Sequence, residues 1–210
     1  YRQKYGGTAM DNIQILQECY SRVTLIPVVG SGLSIPMGLT VAGGINRKSA
    51  DYFSVSDEKK ECIRKCLDCN EYLDATDVIL EAGVSDQMLR EYIAKSMTEA
   101  KENSNSVDNN YRDLALFSKI RYMTTNYDQY INDFAEQELF ALKIWKIYRL
   151  TVAYSAYDHV VIPLHGEISR PESIVLSRDS YQKLYNTDSF KSEFEHMRTH
   201  FTIFIYGVFI

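Results

Sequence analysis

The apolar positions alternate between a helical period and short continuous runs. Within residues 11–22, Ile13, Leu16, Cys19 and Tyr20 recur at helical spacing behind an Asp11 cap, which predicts a short amphipathic helix. Residues 23–29 (VTLIPVV) form a nearly unbroken β-branched run, the pattern of a strand buried on both faces. That run stops at Gly30-Ser31-Gly32-Leu33-Ser34, and the chain then turns through Pro36 and Gly38. Residues 57–101 are helical in pattern, predicting two helices separated near Gly83, the second capped by Ser85. Residues 101–110 (KENSNSVDNN) are polar and rich in Asn and Ser, as expected of a surface loop. No core strand is expected between Gly44 and Lys119, so residues of about 46–112 read as a helical insertion after the first strand–helix unit.

Strand-like runs then return. Residues 119–124 (KIRYMT) lead into Thr125-Asn126-Tyr127-Asp128, and a helical pattern follows. Residues 160–164 (VVIPL) lead into His165-Gly166-Glu167. Residues 177–201 are mostly helical, and 202–206 lead into Gly207. The run 201–210 spans only ten residues and contains a glycine, too short for a membrane span, and reads as a buried strand. Plain apolar strands alternating with helices predict an α/β fold: a Rossmann-like parallel sheet with helices on both faces. No internal repeat is visible.

At 210 residues the chain is long enough for one sizeable core, so a single domain over 1–210 is expected. Apolar residues at 45% and charged ones at 24% exclude a disordered or fibrous chain. With 23 basic against 28 acidic side chains the net charge is −5, which argues against direct gripping of nucleic acid. Three of the four cysteines, Cys62, Cys66 and Cys69, crowd together while Cys19 stands apart, a poor layout for disulfides and a pointer to a reducing cytoplasm. The chain opens on Tyr1 and stops inside an apolar run at Ile210, which reads as a fragment of a longer protein.

Four apolar runs thus end in polar or glycine residues: Gly30-Ser31-Gly32, Asn126 with Asp128, His165-Gly166, and Gly207. If they are neighbouring parallel strands, all four ends converge on one crevice, where ligands of open α/β sheets bind. The first glycine pair reads either as a plain tight turn or as a loop whose free amides meet an anion such as a diphosphate. No GK[ST] follows, so a P-loop nucleotidase is not expected. His165 is either an acid–base group aimed into the crevice or a structural histidine at a strand end. Asn126 is either a turn residue or a group that binds a sugar hydroxyl or water. The Cys62, Cys66 and Cys69 spacing suits one packed helix face better than a metal site. His196 and His200, four apart without a third ligand, suit a solvated face. The sixteen tyrosines are scattered and define no stacking platform.

Together these motifs resemble those of the sirtuin (silent information regulator 2-like) superfamily. Gly30 to Ser34 is similar to its GAGxS phosphate loop, Thr124-Thr125-Asn126-Tyr127-Asp128 to TQNxD, and His165-Gly166 to the catalytic HG pair. Gly207 stands where a later glycine and serine motif would start. The deacetylases' zinc ribbon is not matched, since no cysteine follows Cys69, and Ile35-Pro36-Met37-Gly38-Leu39 replaces their GIPDFR. Instead GSGLSIPMGL, TTNYD and LHGEISRPESIVLSRDSY resemble sirtuin-like domains of bacterial antiphage defence proteins. That resemblance implies an NAD glycohydrolase releasing nicotinamide and ADP-ribose, with NAD as substrate and no metal. It implies Asn126 and His165 as catalytic residues. Gly30, Ser31, Gly32, Ser34, Asp128, Gly166 and Gly207 would contact NAD, with Asp128 on the nicotinamide carboxamide. It further implies a homo-oligomer, tetrameric or larger, and a trigger such as a phage protein sensed elsewhere in the chain or by a partner. Thr40-Val41-Ala42-Gly43-Gly44 departs from the expected continuation, and the segment that completes the adenosine side of the pocket is expected beyond Ile210. Two other readings stay open: a sensor or assembly module that binds NAD or ADP-ribose without consuming it, and an NAD-dependent protein deacylase.

Overall fold

A computed structural model describes residues 11–39, 42–103, 110–115, 121–138, 142–143 and 160–207. Helix α1 (Asn12–Ser21) starts at Asp11, whose side chain accepts from the Ile13 amide while Gln14 reaches back to the Asp11 amide. Strand β1 is shorter than its apolar run: it covers Leu25–Val29, because Val23 takes a left-handed φ of 58° where the chain turns out of α1. All strand pairings are parallel. The order is β3 (Leu142–Lys143), β4 (Val160–Pro163), β2 (Arg121–Thr124), β1, β5 (Thr202–Tyr206).

The side chains of adjacent strand residues pass to opposite faces, and two apolar clusters result. On one face Val29, Tyr122 and Val161 join the core formed with the helices that precede β2. On the other, Ile26, Met123, Val160 and Ile162 meet Phe190 and Met197. This is the Rossmann-like layered sheet that the alternation of strands and helices predicts. Two details differ. Strand β5 is an edge strand with Phe204, Ile205 and Tyr206 exposed, not a buried one, because among the described residues only β1 pairs with it. Residues 208–210 of that run, like 119–120, lie outside the described residues.

Between β1 and β2 the described residues are helical, in α2 (Ala42–Tyr52), α3 (Asp57–Asp68), α4 (Tyr72–Glu81), α5 (Asp86–Asn103) and α6 (Asn110–Ala115). Residues 57–101 therefore hold three helices where the spacing predicts two. The additional break falls at Asn70, whose φ of 61° reverses the chain between α3 and α4. The break at Gly83 and the Ser85 cap are present, Ser85 Oγ accepting from the Met88 amide at 3.2 Å. Cys66 packs against the core, whereas Cys62 and Cys69 are exposed, so the three do not share a packed face. After β2 come α7 (Tyr130–Glu138) and, beyond β4, α8 (Arg178–Tyr185) and α9 (Asp188–His200), capped by Ser177 and Thr187. His196 and His200 stack on the exposed face of α9 with ring centroids 4.1 Å apart. No helix among the described residues is long and apolar enough to cross a membrane.

Candidate functional site

The loops at the carboxyl ends of four strands are laced together by backbone hydrogen bonds. Thr125 N–H donates to Val29 O at 3.1 Å, Leu164 N–H to Thr124 O at 2.8 Å, and Ile168 N–H to Tyr127 O at 2.9 Å. Gly30 N–H donates to Tyr206 O at 3.0 Å and Gly32 N–H to Gly207 O at 2.7 Å. Ser31, Ser34, Asn126, Asp128 and His165 come together as lining of one cavity of about 640 Å³. That volume is typical of a small-molecule site.

One wall is a buried polar cluster. Asp128 caps the start of α7, its Oδ1 accepting the Tyr130 amide at 3.1 Å, while Oδ2 accepts the Ser34 hydroxyl at 2.6 Å. Asn126 Nδ2 donates to Ser34 Oγ and to the Tyr111 hydroxyl, each at 3.1 Å, and Tyr111 and Ser34 share a 2.7 Å hydrogen bond. Burial pushes the Asp128 carboxyl above its ordinary range, against the pull of the Ser34 and Tyr130 hydrogen bonds. Burial likewise pushes the Tyr111 phenol up, with the nearby Asp128 charge adding to it. Asn126 Oδ1 is buried without a hydrogen-bond partner.

His165 stands on another part of the lining, between tyrosines. Its Nε2 lies 2.5 Å from the Tyr185 hydroxyl and its Nδ1 3.3 Å from that of Tyr181. Burial lowers its pKa from 6.5 to about 4, opposed in part by a hydrogen bond to the Thr125 backbone, so the ring is neutral at pH 7. The tyrosines expected to be scattered thus include a pair, Tyr181 and Tyr185, one α-helical turn apart on α8, that encloses the histidine.

The glycines shape the loops, and none of Gly30, Gly32, Gly166 and Gly207 is among the lining residues. A Cβ on Gly32 would lie 2.7 Å from Gly207 O, so this pair lets two loops approach each other. Gly166 has φ 82° and sits against the Ser173 carbonyl; Gly207 has φ 65° and sits against Leu33. Gly30 is in ordinary extended conformation. The Gly32, Leu33 and Ser34 amides donate to Gly207, Gly30 and Ser31 carbonyls, so they are engaged within the protein and not free for an anion. Thr40 and Val41 lie outside the described residues.

Helices α2, α4 and α5 supply further lining, including Asn46, Tyr72, Asp74 and Met97. Arg178 at the rim is held by Asp74 and by Asp77, the latter at 3.3 Å, tying α8 to α4. Sequence reasoning passed over Tyr111, Tyr181, Tyr185 and Arg178. The tyrosine pair could have been found from its four-residue spacing, but nothing local marks Tyr111. Among the described residues no group of three or more His, Cys, Asp or Glu could hold a metal ion.

The family model for the SIR2-like domain matches residues 120–208, from the start of β2 past the end of β5. This stretch carries Asn126, Asp128, His165, Gly166 and Gly207, and the match supports a place in the sirtuin-like superfamily. No curated protein matches the chain.

Proposed function

We propose that the protein is an NAD glycohydrolase, the effector domain of a bacterial antiphage defence protein. In this reading it works in the cytoplasm as a homo-oligomer released by a phage-derived or other trigger, and NAD depletion aborts the infection. The observation that carries the catalytic part is one cavity lined both by Asn126, with its unpaired Oδ1, and by the neutral His165. Sirtuin-like character over residues 120–208 supports NAD as the substrate.

In the reaction the bond between ribose C1′ and the nicotinamide nitrogen breaks. Its electron pair neutralises the pyridinium, so the leaving group departs uncharged. The residues then need to hold an oxocarbenium-like ribose in line with a water molecule. Asn126 Oδ1 accepts a hydrogen bond from a ribose hydroxyl or from that water. His165 takes the proton as the water oxygen bonds to C1′, and later passes it to solvent. Its low basicity suits brief uptake of that proton, released again to solvent, rather than storage of a proton at pH 7. Asp128, already engaged by Ser34 and Tyr130, meets the carboxamide with its remaining lone pairs. The loop 30–34 contributes shape and Ser31 to the diphosphate side, since three of its amides are engaged.

The test is incubation with NAD, with nicotinamide and ADP-ribose followed by mass spectrometry. Release by the parent, but not by Asn126→Ala or His165→Ala, supports the reading; a fully active His165→Ala protein overturns the mechanism. One observation favours a second reading, binding without consumption: both His165 ring nitrogens already pair with tyrosine hydroxyls. In that case ADP-ribose binds and nicotinamide never appears.

A further inference from the structure

The hydrogen bonds around Asn126 have a fixed direction that begins at Asp128. The Ser34 hydroxyl donates to Asp128 Oδ2 at 2.6 Å. Ser34 Oγ, its proton committed, can then only accept, and it takes one Asn126 Nδ2 proton at 3.1 Å and the Tyr111 proton at 2.7 Å. The Tyr111 oxygen also accepts from Nδ2, at 3.1 Å. Both contacts are made by Nδ2, and Oδ1 is left without a partner in a residue only 6% exposed. Turning the amide over would set its carbonyl oxygen against a Ser34 oxygen that has no proton to give.

Tyr111 is held for this task. It is 1% exposed, and its ring packs against Tyr130 and Phe134 of α7 at centroid distances of 5.7 and 6.1 Å. We infer that Tyr111, delivered by α6 of the helical insertion, is a positioning residue that orients Asn126 so that Oδ1 meets the ligand. The ligand group at that point must then be a hydrogen-bond donor, because a buried acceptor left unpaired is costly. This deepens the NAD reading and rests on it for the donor's identity, a ribose hydroxyl or the attacking water.

The experiment follows the Asn126 side-chain amide in a ¹H–¹⁵N spectrum, assigned by its loss in Asn126→Ala, and measures its exchange with solvent in the parent and in Tyr111→Phe. The amide protons are protected in the parent, and exchange faster in the variant. In parallel, nicotinamide release from NAD falls about tenfold or more, as one directed hydrogen bond is lost. Should Tyr111→Phe not fold, Ser34→Ala removes the other acceptor and carries the same test. Equal exchange in parent and variant overturns the inference. Protection lost in the variant, with a parent that neither binds ADP-ribose nor releases nicotinamide, leaves the positioning role standing and removes the NAD reading instead.

Discussion

His165 makes the folded protein acid-sensitive by an amount that the structure sets. The ring is 8% exposed and titrates at about 4 in the folded state, against 6.5 for the ordinary side chain. Between those values the unfolded chain binds the proton that the folded chain refuses, so stability falls as pH falls. One proton taken up by the unfolded chain alone costs about 1.4 kcal/mol per pH unit, so the loss from pH 7 down to pH 4 comes to about 3 kcal/mol. The stability that neutral His165 confers is thus fully present above pH 6.5 and is lost as pH approaches 4. Asp128 acts in the opposite sense, since its raised pKa favours the folded state as it takes up a proton at low pH. Comparing the parent with His165→Gln removes that contribution, which both share. Urea unfolding at half-unit steps from pH 7 to pH 4 should show the parent losing about 3 kcal/mol more than His165→Gln. A difference that stays flat within about 0.5 kcal/mol across this range would falsify the claim that the ring is held neutral by burial.

Three further outcomes follow from packing and charge. Gly166→Ala places a Cβ 2.1 Å from Ser173 O at a φ of 82°, so it should destabilise by about 2–4 kcal/mol in chemical denaturation; a loss below about 0.5 kcal/mol contradicts the loop geometry. Ile26→Ala empties a fully buried position under β1 and should cost about 2–5 kcal/mol, read as a lower urea midpoint at unchanged slope. Arg178→Ala breaks exposed pairs to Asp74 and Asp77 and should change stability by under about 1 kcal/mol, a difference that shrinks in high salt.

The convergence of strand ends is legible in the sequence because each apolar run stops at a polar or glycine cluster, and parallel neighbours put those stops on one side. Residues 202–206 show where such reading stops: β-branched and aromatic residues mark a strand, but not whether a neighbour covers it, and β5 is exposed at the edge. The break at Asn70 escaped because it relies on a left-handed asparagine and not on Gly or Pro. Gly32 is a glycine for the sake of Gly207, far away in the chain, so its reason is tertiary. Tyr111 is invisible for the same cause. It follows a polar stretch, and only the packing of α6 on α7 carries its hydroxyl to Asn126, so local spacing holds no trace of the role.

The central claim is that the cavity shared by Asn126 and His165 cleaves NAD. The most direct measurement is nicotinamide release from NAD by the parent protein beside Asn126→Ala and His165→Ala, with ADP-ribose affinity measured for all three. The account predicts product from the parent, loss of turnover of at least about a hundredfold in each variant, and ADP-ribose binding that survives at least in His165→Ala. Turnover unchanged in His165→Ala, or a parent that neither binds ADP-ribose nor releases nicotinamide, contradicts it.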